Sequence, residues 1–457
     1  MTGLFRTAQL ERHWARHFDE NRSIWLEGKA PYVRTPPLTK DRSADVVIIG
    51  GGFTGVSTAY HLSKRFPEKG IVLIEAQGLA SGASGRNGGQ MLNWVHGFEP
   101  RTPEEARRIY DATREGIDTL LGIVAEHGLD VPHRREGHLD LLTSSRSAEE
   151  AEKSLEGLES AGVPLRFLKK KELTERIELE GVEGAIFDPG SGELDGVAFL
   201  RGLRPVLEAR GVALFEGTPA LRIREGRTIE IETTGGTLRA PAAVLATNAY
   251  TPHLGYFRSR LVPLHSYVLA TEPLSKSDWT RLGWRTGVNF IDDRNRISYG
   301  TLTADGRVLF GGGSNAAYRY LYGNGTRFEG PIEDAVEDMR GRLLRYLPRL
   351  AGVSVTHRWS GPVALTLSRL PTMGVRGADR NLYYALGYSG HGITLSNLAG
   401  KVLTDLFSGA EERWRGLPFY DQRLRYVPPE PFRFLGYHAY TRITGRSPRV
   451  HEKSAAD

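Results

Sequence analysis

The chain contains no cysteine. That excludes disulfides, thiolate metal centres, a cysteine nucleophile and any cysteine-linked cofactor. No apolar run approaches the length that spans a bilayer, so no transmembrane segment is expected. The opening residues, MTGLFRTAQLERHWARHF, lack the apolar stretch of a secretory leader, and the reading is a cytoplasmic protein. There is no stripe of Lys and Arg interleaved with aromatics, so nucleic acid is not an expected partner. The one short basic run, Lys169-Lys170-Lys171, precedes an acidic helical stretch and reads as a solvated face. His13 and His17 stand one helical turn apart, a spacing metals use. With no third ligand nearby they read as surface histidines, and no metal site is expected.

What is present is the composition of an ordinary globular protein, 40% apolar and 25% charged over 457 residues. Such a length exceeds one simple core and implies more than one domain. Net charge is +6, from 60 basic and 54 acidic residues spread along the chain. A mildly basic surface favours acidic small molecules.

From Asp45 the pattern sharpens. DVVIIGGGFTGVSTAYHLSKRF followed by GIVLIEA reads as a buried strand, a glycine turn, an amphipathic helix and a second buried strand. Gly50, Gly52 and Gly55 form G-x-G-x-x-G where strand meets helix. The first glycine permits the tight turn, the second admits a pyrophosphate to the backbone, and the third lets helix pack on strand. Phe53 and Thr54 open the helix, whose amides then face phosphate oxygens. Glu75, followed by Ala76, closes the second strand, where a carboxylate accepts hydrogen bonds from ribose hydroxyls and repels a 2′-phosphate. An adenine dinucleotide other than NADP follows.

A second glycine-rich loop, ASGASGRNGGQ (Ala80 to Gln90), comes directly after Glu75. It offers a core almost nothing and is costly to order. Its Ser81, Ser84, Arg86 and Asn87 supply hydroxyls, a guanidinium and backbone amides suited to a long anionic cofactor. NAD-binding units pass from the acid into another helix without such a loop, so FAD is the better reading.

With these residues in place, the sequence resembles the FAD-dependent D-amino-acid oxidase, glycine oxidase and sarcosine oxidase superfamily, above all its γ-glutamylputrescine oxidase-type branch. DVVIIGGGFTG, GASGRNGGQ, ATNAYTP, and WSGP with NLYYALGYSGHGITLSNLAG carry the likeness, in order, over residues 45 to 400. The resemblance implies an α/β fold: a Rossmann-like FAD-binding domain with a second, mainly antiparallel β-sheet substrate domain. The expected division is a lead-in (1–39), a discontinuous FAD domain (40–130, 194–255 and 355–410), a substrate domain (131–193 and 256–354) and a C-terminal extension (411–457).

By the same resemblance, Ala83, Ser84, Arg86, Asn87, Gly88, Gly89 and Gln90 run along the pyrophosphate towards the flavin. Ala220 meets the adenine edge, Ala246 and Thr247 lie where the chain crosses back, and Gly361 belongs to the flavin site. Gly390, His391, Gly392, Ile393 and Thr394 open a final helix whose amide dipoles point at the flavin's pyrimidine side, where negative charge gathers on reduction. Candidates for the reactive face are Gln90, His96, His265, Tyr267 and Tyr299.

Three departures from the sarcosine oxidase pattern narrow the chemistry. Ala364 stands where that branch links flavin to cysteine, and Arg86-Asn87 replace the histidine that carries flavin elsewhere, so FAD is expected to be non-covalent. Gly89 and Thr394 stand where an arginine and a lysine hold a substrate carboxylate. Leu309 stands where a lysine assists oxygen reduction. The resulting expectation is an oxidoreductase acting on the CH–NH bond of an extended amine, with electrons passing to oxygen or another acceptor. The alternatives are a D-amino acid or glycine oxidoreductase clamped through Arg296, Arg307 or Arg319, and a flavin-binding subunit without catalysis.

Overall fold

The computed structural model describes residues 22–27, 31–95, 100–294, 296–313, 318–320, 322, 326 and 333–443, without the side chains of Arg319 and Thr441. His13, His17 and His96 lie outside this set. Among the described residues the chain builds a mixed α/β fold on two large sheets, one of six strands and one of nine.

Continuous β-branched runs bury both faces of a strand, and such strands pair in parallel beneath helices. Val46–Ile49, Ile71–Ile74 and Ala242–Leu245 are buried at every position. They form the centre of the six-stranded sheet, ordered Ala213–Phe215, Ile71–Ile74, Val46–Ile49, Ala242–Leu245, Leu382–Leu386, Thr372–Arg376. All neighbours run parallel except the last pair. Helix Phe53–Arg65 packs on the final helix, Gly392–Phe407, at their smallest residues. A Cβ on Gly400 would stand 2.1 Å from Ser57 Oγ.

The larger sheet is mainly antiparallel, and near one edge Val262–Thr271 pairs with three of its strands. Strand Val355–Leu365, expected in the cofactor domain, pairs along its length with Val262–Thr271 instead. Its Gly361 still reaches the cofactor side, so one strand serves both units. A separate antiparallel hairpin, Ala220–Arg224 with Ile229–Thr233, continues into Thr237–Ala240.

The lead-in is tied down by one buried carboxylate. Glu216 accepts hydrogen bonds from the Thr35 and Leu79 amides, both at 2.6 Å, and from Tyr32 Oη at 2.8 Å. At the other end, helix Phe432–Ile443 is fastened by Arg433, whose guanidinium donates to the carbonyls of Pro428, Leu261 and Arg258. No helix among the described residues is long and apolar enough to cross a membrane.

Candidate cofactor and substrate site

One cavity of about 510 Å³ runs between the two sheets. Its walls come from the glycine turn, the second glycine loop, the end of Ala242–Leu245, the Gly361 strand and the start of the final helix.

The glycine turn is set by close approach. Gly50 adopts φ +114°, and a Cβ on Gly55 would lie 1.9 Å from the Gly50 carbonyl oxygen. No side chain other than hydrogen there is compatible with helix and strand so close. Glu75 accepts the Gly51 amide at 2.7 Å and the Gln77 amide at 2.9 Å, which fixes it beside the turn. Burial raises its carboxyl above the usual range, opposed by those same amide bonds.

Two helices end on this cavity with their first-turn amides uncapped by their own N-cap side chains. Helix Phe53–Arg65 follows Gly52, which has no side chain, and the final helix follows His391, whose side chain makes no cap hydrogen bond to the helix. Helix Pro103–Glu126 and helix Ser145–Ser160, away from the cavity, carry Thr102 and Ser144 caps. Leaving helix amides open at a cavity costs stability unless an anion or acceptor binds there. Phe53 N donates to Ser84 Oγ at 3.2 Å, so the second glycine loop is docked on the first helix.

Arg86 is 3% exposed and lines the cavity, donating from Nε to the Ser81 carbonyl at 3.0 Å. Its carbonyl accepts Trp359 Nε1 at 3.0 Å, tying the loop to the Gly361 strand. Burial pushes the guanidinium down to about 10, still charged at neutral pH. Tyr250 also lines the cavity, and its buried Oη has no hydrogen-bond partner among the described residues. Burial pushes this phenol up to about 12, so it stays a neutral donor. An orphaned hydroxyl, a buried guanidinium and two open helix ends form a donor set that fits an FAD diphosphate and the polar edge of its flavin. Among the described residues the lining side chains include Arg86, Arg296 and Arg369 but only one carboxylate, Glu75, so this lining favours anionic occupants.

Most residues singled out from the sequence meet at this cavity. Gly50, Gly52, Phe53, Thr54, Glu75, Ala76, Ala83, Ser84, Arg86, Asn87, Gly88 and Gln90 line it. So do Ala220, Ala246, Thr247, Tyr299, Gly361, Gly390, His391, Gly392 and Ile393. Gly55 acts one layer behind, at the helix–strand contact. Gly89 faces Trp25, 3.0 Å from its would-be Cβ. Thr394 is turned to helix Pro103–Glu126, where a Cβ on Gly116 would meet its carbonyl oxygen at 2.9 Å. Ala364 lines the cavity and offers no nucleophile, whereas Leu309 is core and does not line it.

His265 and Tyr267 do not line the cavity either. They alternate with Leu264 and Ser266, which do, and successive side chains of a strand point to opposite faces. Tyr267 is fully buried in the core of the larger sheet, and His265 Nδ1 lies 3.4 Å from Ser360 Oγ. Of the two lining residues, Ser266 carries the polar group, 3.2 Å from Tyr299 Oη. A Cβ on Gly88 would lie 2.9 Å from Tyr299 Cε2, so the ring sits against the second glycine loop.

Gln90 lines the cavity with its amide nitrogen committed. Nε2 donates to the Phe290 and Gly300 carbonyls, both at 3.1 Å, which makes it a rigid wall. Across a short ladder it pairs with Glu193, which is fully buried. Burial pushes the Glu193 carboxyl up to about 7, although Arg134 Nε stands 3.6 Å away. A folded-state value above the unfolded one gives stability that is full below the unfolded value of 4.5 and is lost as pH rises to about 7. Glu193→Gln should remove that slope, on the order of 3 kcal/mol. Denaturant unfolding of both proteins across this window checks it; parallel curves would contradict it.

The comparisons with known proteins follow this geometry. A family model described as FAD dependent oxidoreductase matches residues 45–406. The chain is 30% identical over 412 residues to the γ-glutamylputrescine oxidoreductase of Escherichia coli, covering 87% of this chain and 92% of that protein. It is 29% identical over 409 residues to a Haemophilus influenzae protein named probable oxidoreductase OrdL, covering 86% and 89%. The crystal structure of glycine oxidase from Geobacillus kaustophilus superposes with a TM-score of 0.71 at 23% identity, over 83% of this chain and 99% of that one, a likeness of fold.

Proposed function

Because the chain belongs to the DAO family of FAD-dependent oxidoreductases, we propose that it oxidises the CH–NH bond of an extended amine, of which γ-glutamylputrescine is the model. The observation that carries this reading is the cavity wall of Leu92, Leu264, Ile291 and Val363 with Tyr299 and Ser266, and among the described residues Glu75 is the one carboxylate that lines the cavity. An ammonium entering such a wall loses water without gaining a counter-ion, so the wall selects the neutral amine. Selection of the neutral form removes the need for a protein base. Bound FAD supplies the two-electron acceptor for the hydride leaving the carbon next to nitrogen.

The rest is done by this chain. Gln90 and Tyr299, both held by hydrogen bonds, keep the amine in place and water out. The amides of Gly392 and Ile393 at the open end of the final helix stabilise negative charge at the flavin's edge. Loss of a hydride and a proton turns the amine into an imine, which water hydrolyses to a carbonyl compound and the departing amine or ammonia. Oxygen or another acceptor then removes the electrons. Attachment of FAD is non-covalent in this reading, given Ala364 and Arg86-Asn87 at the linking positions.

A second reading, an amino-acid oxidoreductase, draws support from Arg296, which lines the cavity. Arg307 does not serve it, since its guanidinium is spent on Asp305, the Thr271 carbonyl and Thr356. Mixing the yellow protein with γ-glutamylputrescine, putrescine and amino acids without oxygen decides the matter. Bleaching by the amines is the expected result; bleaching by amino acids alone would replace the first reading with the second.

A further inference from the structure

Arg296 is a half-buried cation at the substrate-sheet side of the cavity, and it forms no ion pair among the described residues. Its Nη2 donates to Tyr437 Oη at 2.9 Å, and its guanidinium carbon lies 5.8 Å from the Tyr437 ring centroid. Tyr437 belongs to the C-terminal helix Phe432–Ile443 and stacks on Tyr320, ring centroids 5.2 Å apart. The extension beyond residue 410 is therefore more than surface cover, because one of its residues positions a cation in the cavity wall. Tyr318, another lining residue, donates to the Ile297 carbonyl at 3.1 Å and holds the segment carrying Arg296.

The placement of this cation along the cavity is informative. Tyr299 sits against the flavin-side loop at Gly88. Arg296 lies three positions earlier, in the bend that leads into the same strand, at most roughly 10 Å further along the chain. Its guanidinium is also drawn to Tyr437, on a helix outside the sheet. A guanidinium placed so far out meets the end of a substrate remote from the reacting nitrogen. Planar and permanently charged, it recognises carboxylates through paired donors.

We infer that Arg296, positioned by Tyr437, binds a carboxylate at the far end of an extended amine substrate. The inference rests on the amine reading above. It assigns the substrate class as amines with a remote acid group, and it gives the C-terminal helix a part in specificity.

The test compares two amides of putrescine with equal chain length, monoglutaryl-putrescine, which ends in a carboxylate, and monopentanoyl-putrescine, which does not. The wild-type protein should prefer the glutaryl amide in kcat/KM by about ten- to a hundredfold, the effect of one charge-assisted bond. Arg296→Gln should abolish that preference by raising KM for the glutaryl amide. Tyr437→Phe should move the same KM in the same direction by a smaller factor, and Arg296→Lys should restore part of it. Equal oxidation of both amides by the wild type, or equal impairment of both by Arg296→Gln, would overturn the inference and leave the amine reading standing. Oxidation of neither amide would remove both. The wild-type comparison alone remains decisive should a variant fail to fold.

Discussion

Gly55→Ala should unfold or empty the protein, whereas Gly122→Ala should stabilise it. The added methyl is the same, and the space it meets is not. At Gly55 the Cβ would stand 1.9 Å from the Gly50 carbonyl oxygen and 3.3 Å from Ile48 Cγ2, backbone and core that have nowhere to go. Helix Phe53–Arg65 would have to lift from strand Val46–Ile49, carrying the Gly52, Phe53 and Thr54 amides off the cavity. Overpacking of this kind costs about 3 kcal/mol or more, and FAD binding should be lost with it. Gly122, exposed on helix Pro103–Glu126, has nothing within 4 Å of its would-be Cβ. There alanine should add roughly 0.5 to 1 kcal/mol by restricting the unfolded chain. Thermal melts of the two apoproteins, with FAD uptake measured beside them, check both signs. A Gly55→Ala protein that melts and binds like the wild type would mean that helix and strand are not in contact there.

Arg86→Met should spare the apoprotein and cripple cofactor binding. In the empty protein the buried guanidinium carries a desolvation cost, which is why its proton affinity is depressed. An anionic cofactor turns that cost into attraction. Removing the charge should therefore weaken FAD binding by about a hundredfold, the scale of a buried charge-assisted bond. By mass action the stabilisation gained from a fixed excess of FAD then falls by about 2.7 kcal/mol. Melting curves with and without FAD should show the apoprotein nearly unmoved and the cofactor-induced rise largely gone. An unchanged rise would remove Arg86 from the cofactor contact.

These two residues show what was legible in the sequence. Gly50, Gly52 and Gly55 answer a local demand, close approach at one turn, so their spacing reports it without tertiary information. The buried β-branched strands around them did the same for the central sheet. The loop from Ala83 to Gln90 was legible because a segment with so little to bury must be held by something else. The choice of His265 and Tyr267 over Ser266 shows where local pattern ends. Strand Val262–Thr271 is buried on both faces from Pro263 onward, so no polar alternation reveals which set of residues faces the cavity. Thr394 poses the same difficulty on a helix apolar nearly all round, and only packing against Gly116 fixes its direction. Strand Val355–Leu365 carries a cofactor-side glycine yet takes its partner from the other sheet, a pairing across nearly a hundred residues that no local signal encodes. Tyr437 meets Arg296 of the cavity wall by the same kind of long-range contact, which nothing local in the C-terminal extension encodes.

The account stands on one cavity, lined by Glu75, Ala220 and the start of the final helix, taking up a single FAD. Titration of the apoprotein with FAD and, separately, with FMN, which lacks the adenosine half, tests this most directly. Flavin fluorescence should be quenched stoichiometrically by FAD, at least about a hundredfold more tightly than by FMN, if the glycine turn and Glu75 hold the adenylate half that FMN lacks. The bound FAD should leave the denatured chain intact. Equal affinity for FMN, or no uptake of FAD by the folded chain, would contradict it.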